Sequence, residues 1–185
     1  MLETILFALW FFLPAGAANM IPVPISKVSK LKDMNAPLDF GMKYRGQRVF
    51  GEHKTWRGLL AGIVAATFVV WLQQVIVRHF DWFSGVDVAN DYTDMPTIML
   101  GLVLAVGALG GDAVKSFFKR QLHIKPGAVW LPYDLIDHIV GAAILALPFV
   151  VFEWWIYPAV VLVWIGANIG VSYIGYLIGI KERPF

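Results

Sequence analysis

The chain has 185 residues, no cysteine and a formal net charge of +2, and 58% of its residues are hydrophobic while only 15% are charged. Because a soluble domain carries roughly a quarter charged residues, this composition excludes an ordinary soluble domain and indicates an integral membrane protein. The lack of cysteine also excludes a disulfide framework and a thiolate metal site.

Five apolar segments are long enough, as helices, to cross a hydrocarbon core of roughly 30 Å. They cover residues 2–20, 59–77, 97–113, 135–152 and 155–180. Glu3 lies where a cleaved signal peptide has basic residues, so the first segment is interpreted as a retained helix. The sequence therefore predicts an all-α integral membrane protein, with five transmembrane helices in one polytopic domain over residues 1–185.

The basic residues fall almost entirely on one side of this arrangement. Fourteen of the fifteen lysines and arginines lie in the loop after the first helix, in the loop after the third helix or in the C-terminal tail. The positive-inside rule then places the N-terminus outside and the C-terminus in the cytoplasm, as five crossings also require. The connection after the second helix carries Arg78 and the aspartates at positions 81, 87, 91 and 94, and it is interpreted as a solvated connector.

The first cytoplasmic loop, residues 22–57, is too long to be a bare connector and places glycines beside cations. Glycine lets backbone amides approach an anion, and cations supply the counter-charge. The motif Lys54-Thr55-Trp56-Arg57-Gly58 favours such an anion site. The alternative is that the basic residues rest on anionic lipid headgroups, which fits Lys27, Lys30 and Lys32 better than the glycine-containing motif.

The second cytoplasmic loop, residues 114–134, follows the strongest local pattern in the chain. If residues 111–120 are helical, Asp112, Ser116 and Lys119 lie on one face, flanked by Lys115 and Arg120. An acid, a hydroxyl and cations on one helix face are typical of a site that holds a metal ion and a phosphate together. A Lys-Arg pair at the cytoplasmic end of a helix is also common in membrane proteins that have no such site. The interpretation as a metal and phosphate site therefore depends on the helix face that Lys119 shares with Asp112 and Ser116.

Asp134 and Asp137 begin the fourth apolar segment and are expected close to Asp112. Asp134 and Asp137 have an alternative interpretation, as acids in the first turn of a helix that complement its dipole. This alternative does not apply to Asp112, because Asp112 closes the third segment and would meet the negative end of the dipole. Three acids at one depth repel each other, and the sequence shows no cationic excess sufficient to pair them. We therefore predict Mg²⁺ between them, while His123 and His138 are interpreted as interfacial.

Together these motifs resemble the CTP-dependent lipid cytidylyltransferases, which include the CDP-diacylglycerol synthases. The signature of these enzymes consists, in chain order, of Lys-Thr, Gly-Asp, Ser-x-x-Lys-Arg, a lysine, a proline and two final acids. The matching residues here are Gly111-Asp112, Ser116, Lys119-Arg120, Lys125, Pro132, Asp134, Asp137 and Lys54-Thr55. Pro126 and Arg57 replace two acids of that signature, and its His-Gly-Gly element is missing. With its short length, the chain is more similar to the archaeal CDP-archaeol synthases.

This resemblance implies transfer of CMP from CTP to 2,3-di-O-geranylgeranylglycerol 1-phosphate, with release of pyrophosphate and with Mg²⁺ as cofactor. The expected catalytic residues are Asp112, Asp134, Asp137, Lys119 and Arg120, and the three aspartates are the expected metal ligands. The expected nucleotide-binding residues are Asp39, Lys54, Thr55, Arg57, Gly58, Lys115, Ser116 and Lys125. The enzyme would be a multi-pass plasma-membrane protein with its site at the cytoplasmic face and no nucleic-acid partner; nothing in the sequence indicates an oligomeric state.

Two other functions fit parts of the pattern. A CTP-dependent polyprenol kinase would transfer the γ-phosphoryl group and release CDP instead of pyrophosphate. A cation transporter would use intramembrane acids to bind its cargo, but it would need no basic, glycine-containing loop and would not respond to CTP.

Overall fold

The structure is a computed structural model that describes residues 2–26, 28, 34–80, 95–125 and 128–179. The expectations for Lys27, Lys30 and Lys32, for the acidic residues of the 81–94 segment and for the tail at 180–185 lie outside these residues.

The described chain is helical apart from one small hairpin. Its elements are α1 (Leu2–Met20), α2 (Pro22–Ser26), β1 (Lys43–Tyr44), β2 (Gln47–Arg48), α3 (Trp56–His79), α4 (Thr97–Gln121), α5 (Tyr133–Ala146) and α6 (Ile156–Leu177). Among the described residues, four helical stretches are long and apolar enough to cross a membrane: Leu2–Ser26, Trp56–His79, Thr97–Gln121 and Ile156–Leu177. The protein is thus an all-helical membrane protein whose only described strands are the two of the antiparallel hairpin.

Two helix boundaries differ from the expectation. α4 continues to Gln121, so the membrane-spanning helix does not end at 113; residues 114–120 are helical, as the shared face of Asp112, Ser116 and Lys119 requires, and Asp112 lies inside the helix instead of closing it. α5 ends at Ala146 and has 14 residues, about 21 Å, where a helix over 135–152 was expected. Pro148 accounts for the early end of α5, because proline has no backbone N–H and its ring clashes with the carbonyl four residues earlier.

The start of α3 is fixed by a side-chain cap. Thr55 has extended backbone angles, and its Oγ1 accepts a hydrogen bond from the backbone N–H of Gly58 at 3.2 Å. A threonine in this position satisfies one of the free N–H groups of the first helical turn. The helix therefore begins at Trp56, three residues before the expected start at 59.

At one end of the molecule, the beginning of α1 meets the connection between α5 and α6. The rings of Phe7 and Phe152 lie 5.5 Å apart, edge to face. At the end of α3, Gln74 Nε2 donates to the carbonyl of Met95, just before α4, at 2.9 Å. This end also holds the main apolar core, which includes the buried rings of Phe11 and Phe12.

At the other end, polar contacts join the loop before α3, the C-terminal half of α4, the start of α5 and the second half of α6. Lys54 pairs with Asp112, and Asn168 Nδ2 donates to the carbonyl of Leu135 at 2.9 Å. The long segments therefore alternate in direction: α1, α4 and α6 run towards this polar end, and α3 and α5 run away from it.

Candidate active site

Close contact between α4 and α5 positions the acidic residues. A Cβ atom added to Gly111 would lie 2.1 Å from the carbonyl oxygen of Asp137, and one added to Gly141 would lie 2.3 Å from that of Gly107. Only glycine permits the two helix backbones to come this close, and small residues at such contacts are typical of helix pairs in membranes. As a result, Asp112 on α4 and Asp137 on α5 belong to one cluster, which we call the aspartate cluster: Asp112, Asp134, Asp137 and the lysines that contact them.

Lys115 occupies the centre of the aspartate cluster. Its Nζ lies 3.1 Å from Asp112 Oδ1, 3.0 Å from Asp134 Oδ1 and 2.6 Å from Asp137 Oδ2. From the sequence, Lys115 is expected at the flank of the functional face. In the structure, its position three residues after Asp112 brings the ammonium group to the point where all three carboxylates converge.

Two further lysines complete the charge balance of the cluster. Lys54, from the loop before α3, contacts Asp112, and Lys119 Nζ lies 3.1 Å from both carboxylate oxygens of Asp134. Three ammonium groups thus face three carboxylates. The expectation that too few cations are present to pair the acids is therefore wrong, because Lys54 comes from a distant part of the sequence and Lys115 bridges all three.

The three aspartates form a donor set that suits Mg²⁺, although Lys115 now takes the central position. Carboxylate oxygens are the preferred ligands of this cation. Among the described residues, no group of three acidic or histidine side chains is arranged to hold a metal ion as it stands. Asp137 Oδ2 is buried, and among the described residues its ion pair with Lys115 is the one polar contact found for it. A bound cation would satisfy this oxygen once the Lys115 ammonium moves aside.

A buried hydrogen-bond chain orients Asp137. Oδ1 of Asp137 accepts from the backbone N–H of His138 at 2.7 Å and lies 3.0 Å from His138 Nδ1. Asn168 Nδ2, on α6, lies 3.4 Å from His138 Nε2. His138 is expected from the sequence to be interfacial but is buried within the protein, and Asn168 is not among the residues expected at the site. An amide in the middle of an apolar helix is itself a signal, because intramembrane polar groups are costly and usually functional.

Asp134 and Lys119 also fix the connection that precedes α5. Asp134 Oδ2 accepts from the backbone N–H of Trp130 at 2.5 Å, and Lys119 Nζ donates to the carbonyl of Ala128 at 2.5 Å. Lys119 is buried although it is charged. Both residues therefore bind protein groups as well as each other, and this holds the N-terminus of α5 against α4.

Not every residue expected on the functional face joins the cluster. Ser116 Oγ donates to the carbonyl of Asp112 within the same helix, at 2.8 Å. The described ion pairs of the three aspartates are with Lys54, Lys115 and Lys119, and Asp137 also contacts the ring of His138. Arg120 and the exposed Lys125 therefore lie outside the aspartate cluster.

Asp39 organises the first loop from within. Its fully buried carboxylate accepts hydrogen bonds from the backbone N–H groups of Gly41, Phe50 and Gly51, at 3.0 to 3.2 Å, and from Arg48 at 2.7 Å. Burial alone would raise the pKa of Asp39, but Arg48 and the three backbone donors outweigh it and hold the pKa below its ordinary value. These contacts give Asp39 a structural role in the loop.

Four residues of the first-loop motif, Lys54, Thr55, Arg57 and Gly58, line a polar cavity of about 460 Å³. Thr55 and Gly58 form the cap of α3, while Arg57 Nη2 donates to the carbonyl of Ser26 and to Asn35 Oδ1 at 3.2 and 3.0 Å. These contacts anchor α2 and the loop to α3. The cavity lining also includes the side chains Asn19, Asn35, Glu52, His53, Lys54 and Asp112.

The polar cavity and the aspartate cluster share Lys54 and Asp112. Ring contacts hold the hairpin close to them, since Tyr44 lies 5.9 Å from Phe117 of α4 between ring centroids. The arrangement therefore offers a polar volume bounded by cations directly beside three carboxylates and three lysines. Chemically, such a site suits a polyphosphate together with a divalent cation.

Comparison with known proteins is consistent with this chemistry. A family model described as CarS-like, CDP-archaeol synthase, matches residues 1–185. The chain is 31% identical to the CDP-archaeol synthase of Thermococcus onnurineus over 185 residues, which cover 100% of this chain and 99% of that protein. It is 34% identical to the CDP-archaeol synthase of Pyrococcus furiosus over 148 residues, covering 80% of this chain and 78% of that protein.

A solved structure is also similar. It is described as an intramembrane enzyme for archaeal membrane lipid biosynthesis, and the match has a TM-score of 0.73 at 25% sequence identity. It covers 91% of this chain and 94% of the solved one.

Proposed function

This chain belongs to the CDP-archaeol synthase family, and from that premise we propose that the aspartate cluster is its catalytic centre. The protein catalyses CTP-dependent cytidylyl transfer to a geranylgeranylglyceryl phosphate lipid in archaeal lipid synthesis. Family membership favours this reaction over the γ-phosphoryl transfer of a polyprenol kinase and over cation transport, the two alternatives considered from the sequence.

In the reaction, an oxygen of the lipid phosphate forms a bond to the α-phosphorus of CTP. The bond from the α-phosphorus to the oxygen that bridges it to the β-phosphorus breaks, and pyrophosphate leaves with that oxygen. Attack and departure lie roughly in line, so the protein contributes mainly positioning and charge stabilisation.

The observation that carries the assignment is the convergence of three carboxylates on Lys115 beside the polar cavity. We assign Lys54, Lys115 and Lys119 to the phosphates, because ammonium groups bind phosphate oxygens through charge-assisted hydrogen bonds. Thr55, Gly58 and Arg57 hold the loop that carries Lys54, and Asp39 keeps that loop folded. Arg120 and Lys125 lie outside the cluster, and any contact they make with a phosphate would be from outside it.

Asp112, Asp134 and Asp137 would hold the Mg²⁺ cofactor. When bound, the cation supplies neutralisation of the triphosphate charge and polarises phosphate oxygens. With the carboxylates holding the cation, the Lys115 ammonium would be available to hold a phosphate oxygen, which would keep a cation against each anion. Ser116 Oγ lies on the same face and can turn from the carbonyl of Asp112 towards the bound ligand.

We place the site at the cytoplasmic face of a multi-pass plasma-membrane protein with five crossings. The described basic residues of the first loop and of the α4 terminus lie at the polar end, while Arg78 lies at the other end of α3. By the positive-inside rule the polar end faces the cytoplasm, the N-terminus lies outside and the C-terminus inside. CTP reaches the polar end from the cytoplasm under this orientation.

Single-cysteine labelling tests the orientation directly, because the chain has no cysteine of its own. An impermeant thiol reagent should label Arg45→Cys from the cytoplasmic side and Ser84→Cys from the outer side. Labelling of Ser84→Cys from the cytoplasmic side alone would reverse the assignment.

The catalytic assignment is tested with purified protein, CTP and the lipid phosphate, with formation of CDP-lipid and pyrophosphate as the readout. Turnover should require Mg²⁺ and should be lost on chelation and restored by added metal. Full turnover in the presence of excess chelator would remove the metal from the proposal while leaving the reaction intact.

A further inference from the structure

The hairpin of the first loop presents apolar and basic side chains side by side on the protein surface. Phe40 is 70% exposed and Met42 is 58% exposed, and the neighbouring cations Lys43 and Arg45 are exposed as well. We call these four residues the hairpin ridge. Clustered large apolar side chains on a surface mark an interaction site. Their combination with cations is typical of segments that lie in the interface of a membrane.

Two residues of the ridge have backbone conformations that asparagine or glycine adopts more readily. Phe40 has a φ of 46° and Arg45 a φ of 51°, both in the left-handed region. For bulky side chains this conformation is rare and strained. The turn at Phe40 is held by Asp39, whose carboxylate accepts a hydrogen bond from the N–H of Gly41 at 3.0 Å. Because the turns themselves would form more easily with asparagine, the ring of Phe40 and the guanidinium of Arg45 indicate a contact outside the loop.

Ring contacts place the hairpin at the level of the helix ends. The ring centroid of Phe40 lies 6.1 Å from that of Trp56, and the centroid of Tyr44 lies 5.9 Å from that of Phe117. Trp56 is the first residue of α3, and Phe117 lies one turn before the end of α4. Both helices are long and apolar enough to cross a membrane, so these ends lie near the depth of the lipid headgroups. The ridge is therefore close to that layer.

The charge of the ridge is complementary to anionic headgroups. Lys43 and Arg45 are cations, whereas the ion pairs described for the hairpin, with Asp39 and Glu52, are made by Arg48. Anionic leaflets attract such cations, and apolar side chains at the same level enter the boundary between headgroups and acyl chains. Among the described residues that line the polar cavity, none belongs to the ridge. This favours membrane lipid over nucleotide as the partner of the ridge.

We propose that the hairpin ridge docks on the anionic lipid headgroups of the leaflet at the polar end of the molecule. Phe40 and Met42 would enter the boundary below the headgroups, while Lys43 and Arg45 contact their phosphates. The partner is the bilayer surface itself, not a lipid bound in the catalytic site. The proposal therefore goes beyond the reaction and does not depend on the assignment of the aspartate cluster.

Docking of the ridge would also restrain Lys54. The N–H of Leu38 donates to the carbonyl of Lys54 at 2.7 Å, and the N–H of Trp56 donates to the carbonyl of Ala36 at 3.0 Å. These bonds join the chain before the hairpin to the chain after it. A bilayer contact at the ridge would therefore steady the lysine that pairs with Asp112.

Asparagine gives a variant that removes the contact and keeps the turns. It tolerates the left-handed conformation better than other residues with a side chain. Phe40→Asn combined with Arg45→Asn should therefore leave the hairpin folded and its thermal unfolding temperature in detergent at or above that of the wild type. The matched control combines Arg78→Asn with Phe80→Asn, which removes an exposed arginine and an exposed aromatic ring at the opposite end of α3.

The test reads the depth of the hairpin with a bimane label on Met42→Cys in the full chain, which has no cysteine of its own. The protein is reconstituted without CTP in vesicles of phosphatidylcholine alone or of an equal mixture with phosphatidylglycerol. Both vesicles contain the same fraction of phosphatidylcholine that is spin-labelled at its headgroup. Quenching should be about twofold stronger in the mixed vesicles, and added salt should reduce this difference. A label on Glu52→Cys, exposed on the same loop but lining the polar cavity, should show no difference.

The variants decide the origin of the difference. It should vanish when Phe40→Asn and Arg45→Asn are combined, and it should persist in the control pair at the opposite end of α3. Equal quenching of the Met42→Cys label in both vesicles would overturn the proposal, and so would a difference that survives in the ridge variant or is lost in the control pair. A response to CTP in neutral vesicles that equals the response to phosphatidylglycerol would assign the ridge to nucleotide instead. A lowered unfolding temperature of the ridge variant would show that the two side chains serve the fold, which would also overturn it.

Discussion

Gly141→Ala is expected to damage the site through the helix contact alone. A Cβ atom at this position would lie 2.3 Å from the carbonyl oxygen of Gly107 and 2.8 Å from the Cα of Gly111. A carbon atom and a carbonyl oxygen prefer a separation of roughly 3.3 Å or more, so α4 and α5 must move apart by about 1 Å. Overpacking of this kind costs about 1–3 kcal/mol. A shift of that order between catalytic groups can reduce turnover by about 100-fold.

Gly166→Ala is the matched control for this variant. Replacing glycine by alanine inside a helix is otherwise favourable by about 0.5–1 kcal/mol, and a Cβ atom at Gly166 meets no atom within 4 Å. The assay compares thermal unfolding in detergent and CDP-lipid formation for the two variants and the wild type. Wild-type stability and turnover in Gly141→Ala would refute the view that the glycine contact sets the distance between Asp112 and Asp137.

Three further predictions concern single contacts. Lys54→Ala and Lys119→Ala should each weaken CTP binding or slow turnover by about 1.5–3 kcal/mol, and the double variant should be non-additive because both lysines act on one phosphate chain. Asn168→Ala should lower Mg²⁺-dependent turnover by about 10-fold, as the loss of a contact behind a metal ligand does, with little change in CTP affinity. Asp39→Asn should increase proteolysis of the hairpin; in the wild type, the depressed pKa of Asp39 makes its contribution complete above about pH 4 and lost as the pH falls further.

Each of these predictions has an outcome that would contradict it. Strict additivity with an unchanged CTP dependence would separate Lys54 from Lys119. Wild-type turnover in Asn168→Ala would show that Asp137 needs no support from α6. Unchanged proteolysis of Asp39→Asn, with Lys43→Asn as a control exposed on the same hairpin, would show that the loop does not depend on the buried carboxylate.

The sequence was sufficient to predict the parts of the architecture that depend on local pattern. The apolar segments indicated a helical membrane protein, and the spacing of Asp112 and Lys119 indicated one helix face. Pro148 could have predicted the early end of α5, but the apolar residues around it favour a longer helix. The membrane span is expected to end at 113 because charged residues follow, whereas the shared face of Asp112 and Lys119 requires a helix through 120, and the structure has that longer helix.

Contacts between distant segments could not be read from the sequence. That Lys115 lies among three carboxylates depends on how closely α4 and α5 approach, and that approach is set by packing at Gly107, Gly111 and Gly141. The pairing of Asn168 with His138 joins α6 to α5 and requires the packing of both helices. The resemblance implies that Asp39 binds nucleotide, but only the folded loop reveals that its hydrogen bonds are satisfied within the protein.

The most direct test of the aspartate cluster as the catalytic centre is CDP-lipid formation by Asp134→Asn at saturating Mg²⁺ and CTP, with Asp112→Asn measured in parallel. Asparagine preserves the size of the side chain and removes its charge. Both variants should insert into the membrane and unfold cooperatively, with turnover reduced to the background of the assay. Turnover close to that of the wild type in both variants would contradict the assignment of the cluster as the catalytic centre.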